Sequence, residues 1–125
     1  MLRTITLFLM SVSIIGAGQA AAQVPAGDPV AGKKAFGACV SCHSLTPGQT
    51  GIGPHLAGVV GKKAGTNDAR FKYSPAMKAA PVWTEAQLDS FLADPKKSIP
   101  GNTMTMAPVK DAKRRADLIA YLKGN

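Results

Sequence analysis

The sequence predicts an all-α fold of four to five short helices joined by long irregular stretches, on three observations. Asp-Pro and Ser-Pro pairs stand ahead of apolar residues at helical spacing. No segment alternates apolar and polar residues as a half-buried strand would, and two long tracts rich in Gly, Pro, Thr and Asn show no period of either kind. A 46% hydrophobic composition argues against wholesale disorder, and 125 residues hold one domain at most. Two cysteines are too few for a disulfide framework.

Residues 1–22 are set aside before the helices are placed. Met1-Leu2-Arg3 supplies a short positive start, Ile5 to Ile15 is mostly apolar, and Gly16 to Ala22 is rich in small residues. Together they read as a secretory signal peptide cleaved after Ala20 or Ala22. The apolar run is shorter than the ~20 residues a membrane span needs, which makes an uncleaved anchor the weaker reading. Residues 23–125 are then the single domain. Only Arg3 leaves with the leader, so a whole-chain net charge of +8 becomes +7 and belongs to the folded part.

The first helix is expected to start at Asp28-Pro29, an N-cap followed by proline at the first helical position, with Ala31, Ala35, Phe36 and Cys39 on one face. It leads into the cysteines. Ser74-Pro75 repeats the signature before a segment of about two turns ending at Ala80, where Pro81 stops it. Thr84 and Gln87 have capping-box spacing, with Trp83 and Leu88 as the hydrophobic staple, and this third helix buries Leu88, Phe91 and Leu92 before Pro95 ends it. The last helix is expected from near Asp111 to Lys123 with Gly124 as its stop, its Lys113-Arg114-Arg115 run forming a solvated face.

Ser44 to Tyr73 and Lys96 to Lys110 are the two aperiodic tracts, longer than compact domains ordinarily carry as loops. A chain this small with so few large side chains buries little apolar surface by itself. Something else should fill the core. Cys39-Val40-Ser41-Cys42-His43 supplies it, because C-x-x-C-H is the attachment sequence for c-type haem. Helical spacing lets two thiols reach the two vinyl groups on one porphyrin edge, and the adjacent imidazole turns under the ring to bind iron.

Other uses of these residues fit less well. A thioredoxin-like dithiol needs a βαβ context, and a zinc site needs two more ligands when only His55 remains and no cysteine is left. A disulfide between Cys39 and Cys42 closes too small a loop to add much stability. Nucleic-acid binding, which a pI near 9.8 could suggest, lacks a motif, and its charges are interspersed with Gly and Pro.

From Gly27 to Gly124 the chain resembles the class I c-type cytochromes, the small soluble branch that includes mitochondrial cytochrome c and its bacterial relatives. The resemblance rests on Gly32 and Phe36 ahead of the haem motif, Gly53-Pro54-His55-Leu56-Ala57-Gly58-Val59-Val60-Gly61-Lys62, Phe71-Lys72-Tyr73 and Trp83. It continues through Asp94-Pro95-Lys96-Lys97-Ser98-Ile99-Pro100-Gly101-Asn102-Thr103-Met104 and closes on Asp117-Leu118-Ile119-Ala120-Tyr121-Leu122. It implies a small cytochrome c fold wrapped around one haem c attached through Cys39 and Cys42. His43 would be the proximal iron ligand and Met104 the distal one, a pairing that favours ferrous iron. The Pro54 carbonyl would accept the other ring N–H of His43, and Tyr73 and Trp83 would donate to a haem propionate. Gly32, Phe36 and Tyr121 would form the contact between first and last helices.

Among the methionines, Met1 and Met10 leave with the leader and Met77 reads as packing. Met106 stands where the mitochondrial branch has an aromatic over the exposed haem edge and is read as packing, on the same loop as Met104. Several positions depart from that branch. Phe91 replaces a tyrosine whose hydroxyl reaches the methionine sulfur, Lys62 replaces an arginine, Asn102 a threonine, and His55 an asparagine. His55 is expected at the surface.

Two protein ligands leave iron no open position, so the expected function is one-electron transfer and not enzymatic chemistry. The alternative is a haem enzyme or sensor, a peroxidase or small-gas binder with a labile methionine. Lys33, Lys34, Lys62, Lys63, Lys78, Lys96 and Lys97 are expected to ring the exposed haem edge and steer an exchangeable monomer to acidic docking surfaces of redox partners. A subunit held permanently in a larger respiratory complex is the other arrangement. The leader points to a Gram-negative periplasm. The donor would be of the bc1-complex or periplasmic dehydrogenase kind, and the acceptor an oxidase, reductase or photosynthetic centre.

Overall fold

Four of the five helices of the described residues begin at the caps that the sequence offers. In this computed structural model, which describes residues 24–125, the Asp28 carboxylate accepts from the Val30 N–H at 2.8 Å and opens α1 (Pro29–Phe36). Ser74 Oγ accepts from Met77 N–H and opens α2 (Pro75–Ala79), while Thr84 Oγ1 accepts from Gln87 N–H and opens α3 (Glu85–Ala93). Asp111 accepts from the N–H groups of Lys113 and Arg114 to open the last helix, α5 (Ala112–Lys123). The expected leader and its cleavage at Ala20 or Ala22 lie outside the described residues.

The remaining helix, α4 (Pro95–Ser98), lies inside a tract expected to be irregular. Pro95 does end α3, but Asp94 then caps a new turn by accepting from Lys97 N–H at 3.1 Å. One turn is too short to show a period, and the cue present was the same acid-proline pair that starts α1. One end differs from expectation: α2 stops at Ala79, because Ala80 is held extended ahead of Pro81. Gly124 closes α5 as expected, at φ −92°.

The contact between α1 and α5 organises the chain. Gly32 lies against the α5 backbone, where an added Cβ would come within 1.9 Å of the Asp117 carbonyl oxygen. Phe36 and Tyr121 meet with ring centroids 5.6 Å apart. Asp117, buried in the same contact, accepts from the Asp28 N–H and from Lys113 Nζ, each at 2.7 Å. The Lys113-Arg114-Arg115 run is therefore not a uniformly solvated face. Arg115 is largely buried, donates Nε to Asp89 of α3 at 2.7 Å, and ties the carbonyls of Val109 and Lys110 to the helix start.

Leu88, Phe91 and Leu92 of α3 pack with Leu118, Ile119 and Leu122 of α5. This layer is one wall of a cleft that the end of α1, the cysteine motif, Met77 of α2 and residues of the two long tracts also line. No helix among the described residues is long and apolar enough to cross a membrane.

Candidate functional site

The cleft encloses about 190 Å³ and is lined mainly by apolar side chains. Close-packed protein interiors leave few voids of that size, so this one calls for an apolar occupant. Cys39, Cys42, His43, Pro54, Tyr73, Trp83 and Met104, all the predicted site residues, border it.

Turns continue the path of α1 into the motif: Cys39 N–H donates to Phe36 O, and the N–H groups of Cys42 and His43 both donate to Cys39 O. The two free thiols thus stand one helical turn apart on the cleft edge. His43 Nδ1 donates to the Pro54 carbonyl at 2.7 Å, a tautomer that leaves Nε2 unprotonated and able to bind a metal. Gly53 supplies the room, since a Cβ there would lie 2.5 Å from His43 Cε1. The loop is stitched back to the motif by Gly53 N–H to Cys42 O and Leu56 N–H to Ser44 O.

Ahead of the cleft-lining segment 103–106, Ile99-Pro100-Gly101-Asn102 forms a type II turn closed by Asn102 N–H to Ile99 O, with Gly101 at φ +86°. Met104 and Met106 both follow it, are half-buried and border the cleft. They differ in anchorage: the Met104 N–H donates to Asn102 Oδ1 at 3.0 Å.

Tyr73 and Trp83 each offer a donor. The Tyr73 hydroxyl accepts from Asp68 N–H at 3.0 Å, leaving its own proton available, and burial pushes its pKa up. Trp83 is buried, stacked edge-on against Phe91 at 5.1 Å, and its indole N–H meets no acceptor among the described residues. Its backbone pairs with the Gly61–Lys62 segment, the Trp83 N–H reaching Lys62 O and the Gly61 N–H reaching Trp83 O, each at 2.8 Å.

His55 is buried at 8% exposure, not on the surface as expected. Its backbone N–H donates to the buried Asp68 carboxylate at 3.1 Å, which draws the residue inward, and its Nδ1 has no partner among the described residues. Asp68 itself belongs to none of the motifs in the sequence. Burial pushes its carboxyl up, but donors from Thr50 Oγ1, His55 N–H and Arg70 N–H outweigh that and hold it below the ordinary range. Its only cue was Asn67-Asp68, a pair of turn-forming residues inside an aperiodic tract.

Among the lysines, Lys63 is not a free member of the expected ring. Its Nζ donates to the carbonyls of Lys78 and Ala80 at the end of α2. Lys96 Nζ donates to Asn102 O at 3.0 Å.

Two thiols one helical turn apart, an imidazole with a free nitrogen, two thioethers, an apolar lining and the free donors of Tyr73 and Trp83 around one cleft together fit a covalently attached haem. They define an electron-transfer haem protein. The family model described as Cytochrome c matches residues 29–125. The chain is 52% identical over 90 residues to cytochrome c2 iso-2 of Magnetospirillum fulvum, covering 71% of this chain and 93% of that one. It is 40% identical over 117 residues to cytochrome c2 of Rhodomicrobium vannielii, covering 90% and 93%. Its fold matches cytochrome cH from Methylobacterium extorquens with a TM-score of 0.75 and 44% identity, over 79% of this chain and 100% of that one. The chain belongs to the cytochrome c family: it is an electron carrier holding one haem c through Cys39 and Cys42.

Proposed function

We propose that this cytochrome is a periplasmic one-electron shuttle whose haem iron is closed by His43 and Met104. The observation that carries this reading is that an oriented imidazole and an anchored thioether converge on one apolar cleft. When bound, haem supplies a one-electron ferric/ferrous couple. The Pro54 carbonyl holds the His43 ring in one tautomer and raises its basicity as a ligand. Met104 would favour the ferrous state as a soft donor. Tyr73 and Trp83 would hold a haem carboxylate through their free O–H and N–H. With His43 and Met104 both serving as iron ligands, no position would be left for substrate, which supports a carrier and not an enzyme.

Residues 1–22 act as the export signal, and residues 23–125 form the mature, monomeric domain. Exposed lysines at 33, 34, 62, 78 and 97 steer it to acidic surfaces on a donor such as a bc1-type complex or periplasmic dehydrogenase, and on an acceptor such as an oxidase, reductase or reaction centre in a respiratory or photosynthetic chain. Nucleic acid is not a partner.

The test is the visible spectrum of the periplasmically expressed protein, ferric and ferrous, with and without carbon monoxide. A low-spin spectrum, a far-red iron–sulfur band lost in Met104→Ala but kept in Met106→Ala, and no carbon monoxide shift are expected. A high-spin spectrum that shifts with carbon monoxide would overturn the closed-iron reading in favour of a peroxidase or gas sensor.

A further inference from the structure

We propose that Asn102 is a positioning residue for the distal ligand, its side-chain amide clamping the chain so that the Met104 thioether is held toward the iron. The inference rests on the reading of Met104 as that ligand. Asn102 is buried at 4% exposure and uses both ends of its amide. Nδ2 donates to the carbonyls of Pro95 at 2.7 Å and Ile99 at 2.8 Å, while Oδ1 accepts from the Met104 N–H at 3.0 Å. Its backbone is held as well, by N–H to Ile99 O and by Lys96 Nζ on its own carbonyl.

One side chain thus connects both ends of α4 to the residue that presents the sulfur. The anchor at its far end is firm, because Pro95 is fully buried. Beyond Met104 the chain makes no backbone-to-backbone hydrogen bond until Val109 N–H reaches Leu92 O. Removing the amide therefore leaves Met104 on a tether running from the type II turn to Val109. It also takes one of two donors from each of the buried Pro95 and Ile99 carbonyls, which keep only the backbone N–H groups of Ile99 and Asn102. A threonine here could accept from the Met104 N–H but has a single O–H with which to serve two carbonyls. The triple connection belongs to the asparagine.

The experiment measures Asn102→Ala as the holoprotein, well below its melting temperature, for the far-red band, carbon monoxide binding and reduction potential. Ile119→Val, a small cavity at a fully buried α5 position that, unlike Leu118 and Leu122, does not border the cleft, is the control for general loss of stability. N102A is expected to lose most of the band, to bind carbon monoxide in the ferrous state, and to have a lower potential. I119V should retain all three properties. Where N102A does not assemble with haem, Asn102→Ser, which keeps an acceptor and one donor, should show the same changes to a smaller degree. An intact band and no carbon monoxide binding in N102A or N102S, or equal opening in I119V, would overturn the proposal. A wild-type protein lacking the band, or losing it in M106A, would instead sink the ligand reading on which the proposal stands.

Discussion

The Nδ1 of His43 lies 2.7 Å from the carbonyl oxygen of Pro54, and only a glycine at position 53 leaves the imidazole room to make that bond. A Gly53 Cβ would meet three ring atoms of His43, at 2.5, 2.8 and 3.1 Å. Gly53→Ala should therefore displace the ring and lose the Pro54 bond. The expected outcome is poor haem incorporation and, in what does assemble, a higher reduction potential, because an imidazole without that bond is a weaker donor to ferric iron. A wild-type spectrum and potential would show that the ring has another place to go.

Phe91 borders the cleft from α3 and is buried against Trp83. By the resemblance, the hydroxyl that Phe91→Tyr adds to this cleft would donate to the sulfur of Met104, the proposed iron ligand. Such a donor withdraws electron density and disfavours ferric iron, so the potential should rise modestly. Redox titration checks it, and an unchanged or lowered potential counts against the contact.

Gly32→Ala drives a methyl group to 1.9 Å from the Asp117 carbonyl oxygen and 2.6 Å from its carbon, both backbone atoms. Neither helix can yield without disturbing Phe36 on Tyr121. The expected loss is about 3 kcal/mol, the upper end for overpacking. Denaturant unfolding of the holoprotein measures it.

Arg115 joins α3, α5 and the end of the Met104 loop through Asp89, Val109 and Lys110. Arg115→Ala should cost about 2 kcal/mol, the range for hydrogen bonds to a charged group, and should loosen the loop. Arg115→Lys should recover only part, since one ammonium cannot reproduce the guanidinium fork. Faster amide exchange at Val109 would report the loosening.

Asp117 carries an acid dependence. The hydrogen bond from Lys113, then that from the Asp28 N–H, hold its carboxyl below the ordinary value against the opposing push of burial. A carboxyl lowered on folding stabilises the native state above its unfolded pKa of about 3.9, and that contribution is lost as pH falls through the folded value. Wild-type protein should accordingly lose more melting temperature between about pH 6 and about pH 3 than Asp117→Asn does. Equal losses in the two would remove Asp117 from the acid response.

Much of this protein could be read from residues close together in the chain. Caps at Asp28, Ser74, Thr84 and Asp111 act on N–H groups two or three residues away, so their helices were legible locally. The haem motif is five consecutive residues, and Pro54, Tyr73, Trp83 and Met104, named through the resemblance, border the same cleft. Helix α4 is not legible in this way, because one turn shows no period.

The fate of the polar side chains was decided elsewhere. Asp117 meets the Asp28 N–H across 89 residues, Arg115 meets Asp89 across 26, and Thr50 meets Asp68 across 18. His55 was expected outside and lies inside because Asp68 arrives to take its N–H. Lys63 reads as one more surface charge until α2 brings its terminal carbonyls alongside. Periodicity and capping depend on neighbours within a turn or two and are written into local sequence. Whether a polar group is buried depends on which distant segment supplies its partner, and only the folded chain decides that.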